Sequence, residues 1–137
     1  MSSIEALLSR VSVPRVLEPG VTSVELDLLL RAGLRACDHG RLKPYRFILL
    51  EGKARERLGG AMSGYLHGDL VDVSEDAIEA TKNKALRAPT LLSVIFCPQD
   101  HDKIPEPEQL VTAGCAAQLI VTAAHMLGIG AIWRTGN

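Results

Sequence analysis

The sequence predicts an α/β (α+β) fold of one domain, residues 1–137, in which helices cover a small sheet. Three observations carry that expectation. Short runs rich in β-formers, Tyr45–Leu50, Thr90–Cys97 and Ile129–Arg134, alternate with helix-length segments that begin at capping residues. One of those segments, "EQLVTAGCAAQLIVTAAHML", is almost uncharged, and a helix apolar on most sides is buried in a core. A chain of 137 residues is long enough to enclose one such core.

Taken in order, Ser2 and Glu5 form a capping box that opens a short helix through "IEALLSR", and Pro14 and Pro19-Gly20 then break the chain. Thr22 and Glu25 repeat the box, with Leu26, Leu29, Leu30 and Gly33 following at helical spacing toward Arg35. "YRFILLEG" reads as a buried strand ending at Gly52. A helix starts near Lys53, weakened by Gly59, Gly60 and Gly64, and Met62 to Val73 carries no assignable pattern. Ser74 caps a helix that stops before Pro89, and "TLLSVIFC" is the clearest strand, closed by Pro98. Pro107 suits a first helical residue, and the long apolar helix runs from there to Gly128. Its small residues, Ala113 to Ala117, let another backbone approach closely, as in a helix-rich core or a subunit interface.

Fifteen Lys and Arg against sixteen Asp and Glu leave a formal charge of −1, so no global field recruits nucleic acid or an anionic membrane. Three separated cysteines, with no C-x-x-C pair, read as a reduced protein of the cytoplasm rather than a disulfide framework. The first ten residues lack the pattern of a signal peptide, and no uninterrupted apolar stretch approaches membrane-spanning length.

Nucleotide fingerprints fail on inspection. In "GIGAIW" Trp133 stands where a third glycine belongs, and in "EGKAR" Ala54 replaces the hydroxyl residue of a P-loop. Cys37 and His39 lack a second ligand pair for zinc, and adjacent residues rarely align a nucleophile with its base, so Cys37 reads as a small buried residue. His125, on the apolar helix, reads as a core histidine, and His67 and His101 as solvated. What remains lies at element ends: Arg10 and Ser12, then Arg35 and His39, then Trp133, Arg134 and Thr135. A guanidinium fork and a hydroxyl suit a phosphate, and an indole suits a flat ring. Taken singly, each is equally a solvated cap, as an Arg in a last helical turn complements the macrodipole without any ligand.

Together, "SRVSVPR", "RAGLRACDHGRLKPYRF" and "GIGAIWRTG" resemble the nitroreductase-like flavoproteins, in particular their minimal NAD(P)H nitroreductases, in order and spacing across essentially the whole chain. The resemblance implies a nitroreductase-like fold with a mostly antiparallel sheet, and a homodimer whose two FMN sites are shared across the interface. It implies that Arg10, Val11 and Ser12 hold the flavin phosphate and ribityl chain, with Val11 in place of the family's usual second Arg. Arg35 and His39 would reach the flavin of the other subunit, with Cys37 where the family usually has Pro, and Trp133, Arg134 and Thr135 would line ring and phosphate. Family members continue beyond the position of Asn137, so the chain is expected to be short at its C-terminal end.

The implied activity is FMN-dependent reduction of nitroaromatic, quinone or similar electron-poor acceptors, with NAD(P)H as co-substrate in a ping-pong hydride transfer. Flavin carries such chemistry, so no catalytic acid–base dyad and no metal are required. A cation near the ring, with Arg35 the candidate, would favour negative charge on it. A flavin-binding or flavin-storing relative without catalysis, and a cofactor-free partner-binding remnant, are the alternative readings.

Overall fold

The computed structural model describes residues 3–69 and 74–135, so the expected Ser2 cap, residues 70–73 and Gly136 lie outside it. Among these residues five α-helices and two strands follow in the order α1 (Ser3–Ser9), α2 (Ser23–Gly33), β1 (Tyr45–Glu51), α3 (Lys53–Asp69), α4 (Glu75–Lys84), β2 (Thr90–Phe96) and α5 (Glu106–Met126), with a short 3-10 turn, His39–Arg41, between α2 and β1. They fall into two compact units, one of residues 1–14, 21–48 and 93–137, the other of residues 15–20 and 49–92.

β1 and β2 pair antiparallel. The Cys97 N–H donates to the Pro44 carbonyl at 2.9 Å, and at the other end the Thr90 hydroxyl donates to Glu51 Oε1 at 2.8 Å. The third expected strand is absent: among the described residues the sheet is two-stranded, and residues 129–135 form no strand. Among the described residues that segment takes one backbone bond from a neighbouring segment, Val13 N–H to the Ala131 carbonyl at 2.9 Å, and one bond makes no ladder. β1 is also less buried than its apolar run suggests, since Tyr45 is buried and Phe47 half-buried while Arg46, Ile48 and Leu49 are exposed.

In the first unit α2 and α1 pack on α5. The Thr22 capping box forms as expected, with Glu25 N–H donating to Thr22 Oγ1 at 3.2 Å and Thr22 N–H donating to Glu25 Oε2 at 2.7 Å. Near its other end α2 presents Gly33, where a Cβ would lie 2.9 Å from Ile120 and 3.1 Å from Phe47. A side chain there would have to push Ile120 and Phe47 aside, so glycine lets α5 and β1 meet α2 closely. Tyr45, Ala113 and Ala116 form the buried cluster, with Ala36, Phe47, Val94 and Phe96 packed against it.

α5 is the one described helix long and apolar enough to cross a membrane. It lies against α1 and α2 with one stripe buried, Gln109, Thr112, Ala113, Ala116, Ala117 and Ala124, while Leu110, Val111 and Met126 are exposed. The expectation of burial on most sides is thus met on one side. Gln109 is 2% exposed and fully bonded: its Oε1 accepts from Gln99 N–H at 2.9 Å, and its Nε2 donates to the carbonyls of Gln99 at 2.9 Å and Ile104 at 3.0 Å. That network ties the loop after β2 to the first turns of α5.

In the second unit α3 and α4 form a helical pair. α3 runs through all three glycines and covers residues that carried no assignable pattern. Gly59 explains its tolerance, because a Cβ there would lie 2.5 Å from the Lys82 carbonyl oxygen of α4. Ser74 caps α4 as expected, accepting from Ala77 N–H at 3.3 Å. Arg55 donates from Nη1 to the Ala88 carbonyl at 2.6 Å and lies 3.9 Å from Glu18.

Candidate functional site

Arg10, Val11, Ser12, Arg35, His39, Trp133, Arg134 and Thr135 all belong to the first unit. α1 ends at Ser9, whose hydroxyl lies 3.1 Å from His125 Nε2 on α5, so His125 is half-buried and hydrogen-bonded rather than sealed in the core. Arg10 follows, half-buried, with Val11 and Ser12 exposed. The opposite strip is delivered by the end of α5. Gly128 adopts φ 76°, its N–H donates to the His125 carbonyl at 3.0 Å, and Ile129 N–H donates to the Ala124 carbonyl at 2.8 Å. These two bonds are a Schellman motif, which glycine alone enters without strain and which stops the helix. Three residues later the Val13–Ala131 bond fixes the strip beside the residues that follow α1.

That bond ties the segment after α1, which carries Arg10, Val11 and Ser12, to the segment that carries Trp133, Arg134 and Thr135. Trp133 is 48% exposed, and the space above Gly114 ends 3.4 Å away at its Cη2, so the indole lies against the small-residue run of α5. Among the described residues no carboxylate pairs with Arg10, Arg35 or Arg134. Two free guanidinium groups, two hydroxyls and a supported flat ring therefore stand on adjoining strips.

The joint between α2 and β1 is built differently. Arg35 is exposed at its start, just after α2. The Asp38 carboxylate accepts from Leu42 N–H at 3.1 Å and Lys43 N–H at 2.8 Å, clamping the turn from within. Gly40 has φ 71°, and Arg41 and Lys43 have φ 57° and 50°, a conformation that side chains other than glycine adopt at a cost. A Cβ at Gly40 would meet Ile104 Cδ1 at 2.6 Å. His39 Nδ1 lies 2.7 Å from Glu108 Oε1 in the first turn of α5. Tyr45 begins β1 with its hydroxyl pKa raised, mainly by burial and secondarily by the Asp38 charge.

The Val13–Ala131 bond thus joins the segment of Arg10, Val11 and Ser12 to that of Trp133, Arg134 and Thr135. Arg35 and His39 are joined to neither strip by a hydrogen bond or ion pair among the described residues. Cys37 is exposed, which corrects the expectation that it is a small buried residue: the turn that Asp38 closes carries it outward. Sequence reasoning missed Glu108, 69 residues from His39, for which no local signal exists. It also missed Asp38 as a clamp, although an Asp followed by Gly two residues later in a short connection is a turn signal.

A model of the nitroreductase family matches residues 9–137. The chain belongs to the nitroreductase family. Among curated relatives, the protein named "Putative NAD(P)H nitroreductase YdjA" of Escherichia coli (strain K12) is 37% identical over 137 residues, covering 99% of this chain and 73% of that one. A nitroreductase-like family protein from Bacillus cereus superposes over 100% of this chain and 71% of its own, with a TM-score of 0.80 and 21% identity. A nitroreductase with bound FMN from Bacteroides fragilis superposes over 95% and 67%, with a TM-score of 0.71 and 18% identity. At those identities the superpositions show that this chain has the nitroreductase-like fold, which was expected from its motifs. Among the described residues that fold comprises the two-stranded sheet and the five α-helices given above.

Proposed function

We propose that this chain is an FMN-dependent oxidoreductase of the cytoplasm. In this reading it takes hydride from NAD(P)H and reduces an electron-poor acceptor such as a nitroaromatic or quinone. It works as a homodimer, with each FMN held by Arg10, Val11, Ser12, Trp133, Arg134 and Thr135 of one subunit and by Arg35 and His39 of the other. The observation that supports the reading is the Val13–Ala131 hydrogen bond, which joins the segments of two donor-rich motifs that the sequence separates by more than a hundred residues.

The donor set fits FMN. Unpaired Arg10 and Arg134 with the hydroxyls of Ser12 and Thr135 offer the charge-assisted hydrogen bonds a phosphate takes, and Trp133, braced on Gly114, offers a face to a flat ring. Bound FMN would supply the hydride chemistry. The protein's residues bind and orient, and no side chain needs to exchange a proton for that role.

The test is to titrate the purified protein with FMN by fluorescence, add NAD(P)H without oxygen, and then add a nitroaromatic. Yellow colour that bleaches and returns is the expected result. Absence of FMN binding would overturn the reading, and bound flavin that neither NADH nor NADPH bleaches would leave a binder rather than an enzyme. Co-expression of Arg35→Ala and Arg134→Ala chains in equal amounts tests the shared site. Half of randomly paired dimers are mixed and one site in each is intact, so about a quarter of all sites should recover tight FMN binding.

A further inference from the structure

We infer that Glu108 is a positioning residue that fixes the His39 imidazole with its proton on Nδ1, leaving Nε2 free to meet the flavin. The inference rests on the proposed role of His39. A carboxylate oxygen 2.7 Å from Nδ1 can only accept, so the proton on that nitrogen is set whether the ring is neutral or charged. An isolated neutral imidazole has no such constraint and exchanges between its two tautomers.

The backbone on both sides shows that the pair is anchored rather than incidental. Gly40, next to His39, sits so close to Ile104 that a Cβ would come within 2.6 Å of its Cδ1. Gln109, next to Glu108, donates to the carbonyl of the same Ile104 at 3.0 Å. Ile104 is buried, so one fixed residue sets the spacing of both partners. Asp38 closes the turn by accepting from the N–H groups of Leu42 and Lys43. The side chains of His39 and Glu108 are 61% and 45% exposed, and a pair so open to water adds little to stability. What such a contact does supply is a defined ring orientation and a defined proton.

Long-range 15N–1H spectra of the full chain, recorded where the His39 15N shifts no longer change with pH, read the tautomer directly. Wild type should show His39 protonated on Nδ1, and Glu108→Ala should not, nor should Glu108→Gln, whose amide donates as well as accepts and so leaves the tautomer unfixed. FMN titration should show Glu108→Ala weakened about threefold to tenfold, and no added loss from Glu108→Ala in a His39→Ala background. A wild-type His39 protonated on Nε2, a tautomer that Glu108→Ala leaves unchanged, or equal losses from Glu108→Ala with and without His39 would overturn the positioning role. Wild-type FMN affinity in His39→Ala would instead overturn the reading of His39 on which the inference rests, and the tautomer spectra separate the two failures.

Discussion

Enlarging Gly114 should move the Trp133 indole while leaving the fold in place. A Cβ at position 114 would lie 3.4 Å from Trp133 Cη2, an ordinary contact distance, so Gly114→Ala fits with little adjustment. Inside a helix it should also gain about 0.8–1.0 kcal/mol from propensity. Gly114→Leu adds a branched group where the ring now lies. If the indole could not yield, overpacking would cost about 1–3 kcal/mol. It can yield: Trp133 is 48% exposed and among the described residues its segment takes one backbone bond from a neighbouring segment rather than a ladder, so the lower-energy response is to swing the ring off α5. Trp133 is the only tryptophan, so its emission reports the outcome without labelling. Gly114→Ala should keep the wild-type spectrum, and Gly114→Leu should shift it to the red and make it more quenchable by acrylamide. Losing one stacked aromatic contact, worth about 0.5–1.5 kcal/mol, should weaken FMN and riboflavin alike by about threefold to tenfold. A folded Gly114→Leu with unchanged emission and unchanged flavin affinity would refute both the packing and the proposed ring site.

Arg134→Ala should separate the two ligands that Gly114→Leu affects together. A charge-assisted hydrogen bond of about 1.5–3 kcal/mol predicts about tenfold to a hundredfold weaker FMN, with riboflavin little changed, and equal losses in a fluorescence titration would remove the phosphate assignment. In the second unit, Gly59→Ala meets the Lys82 carbonyl at 2.5 Å and should lower stability by about 1–3 kcal/mol despite better helix propensity, whereas Gly60→Ala, with nothing within 4 Å, should raise it by up to about 1 kcal/mol. Urea midpoints that move in the same direction for both would show that α3 and α4 do not meet at Gly59. The Glu25 pKa is held below 4.5 by the Thr22 N–H first and its hydroxyl second, so the folded chain binds that proton less tightly than the unfolded chain. The resulting stability is present above about 4.5 and lost as pH falls through the lowered folded value, so Glu25→Gln should flatten the acid side of the stability profile; superimposable acid limbs would argue against the cap.

Elements whose cause is local were legible in the sequence. The Thr22 box, the Ser74 cap and the Gly128 stop depend on residues within one turn of each other, and all three form where their patterns stand. The strand expected at Ile129–Arg134 failed because apolar β-formers specify an extended chain but not a partner, and among the described residues one backbone bond, from Val13, reaches that segment from elsewhere in the chain. Burial was overestimated for α5 for a similar reason: composition gives the hydrophobicity of a helix, whereas packing decides how many of its sides have neighbours. Leu110 and Val111 show the difference, as neighbours in sequence of buried Gln109 and Thr112.

The crowded connection from Arg31 to Phe47 divides once its geometry is known. Asp38 spends its charge on the backbone N–H groups of Leu42 and Lys43 and has a structural task. Arg41 and Lys43 occupy the left-handed region without being glycine, and such strain persists only where the surroundings over-determine the turn. Here the surroundings are Asp38 on one side and Ile104 beneath Gly40 on the other. A turn held that firmly gives His39 a fixed Cα, and Glu108 then has to fix only the ring. Removing the clamp and removing the carboxylate should therefore fail differently: loss of Asp38 displaces the whole turn, whereas loss of Glu108 leaves the turn in place and frees one imidazole.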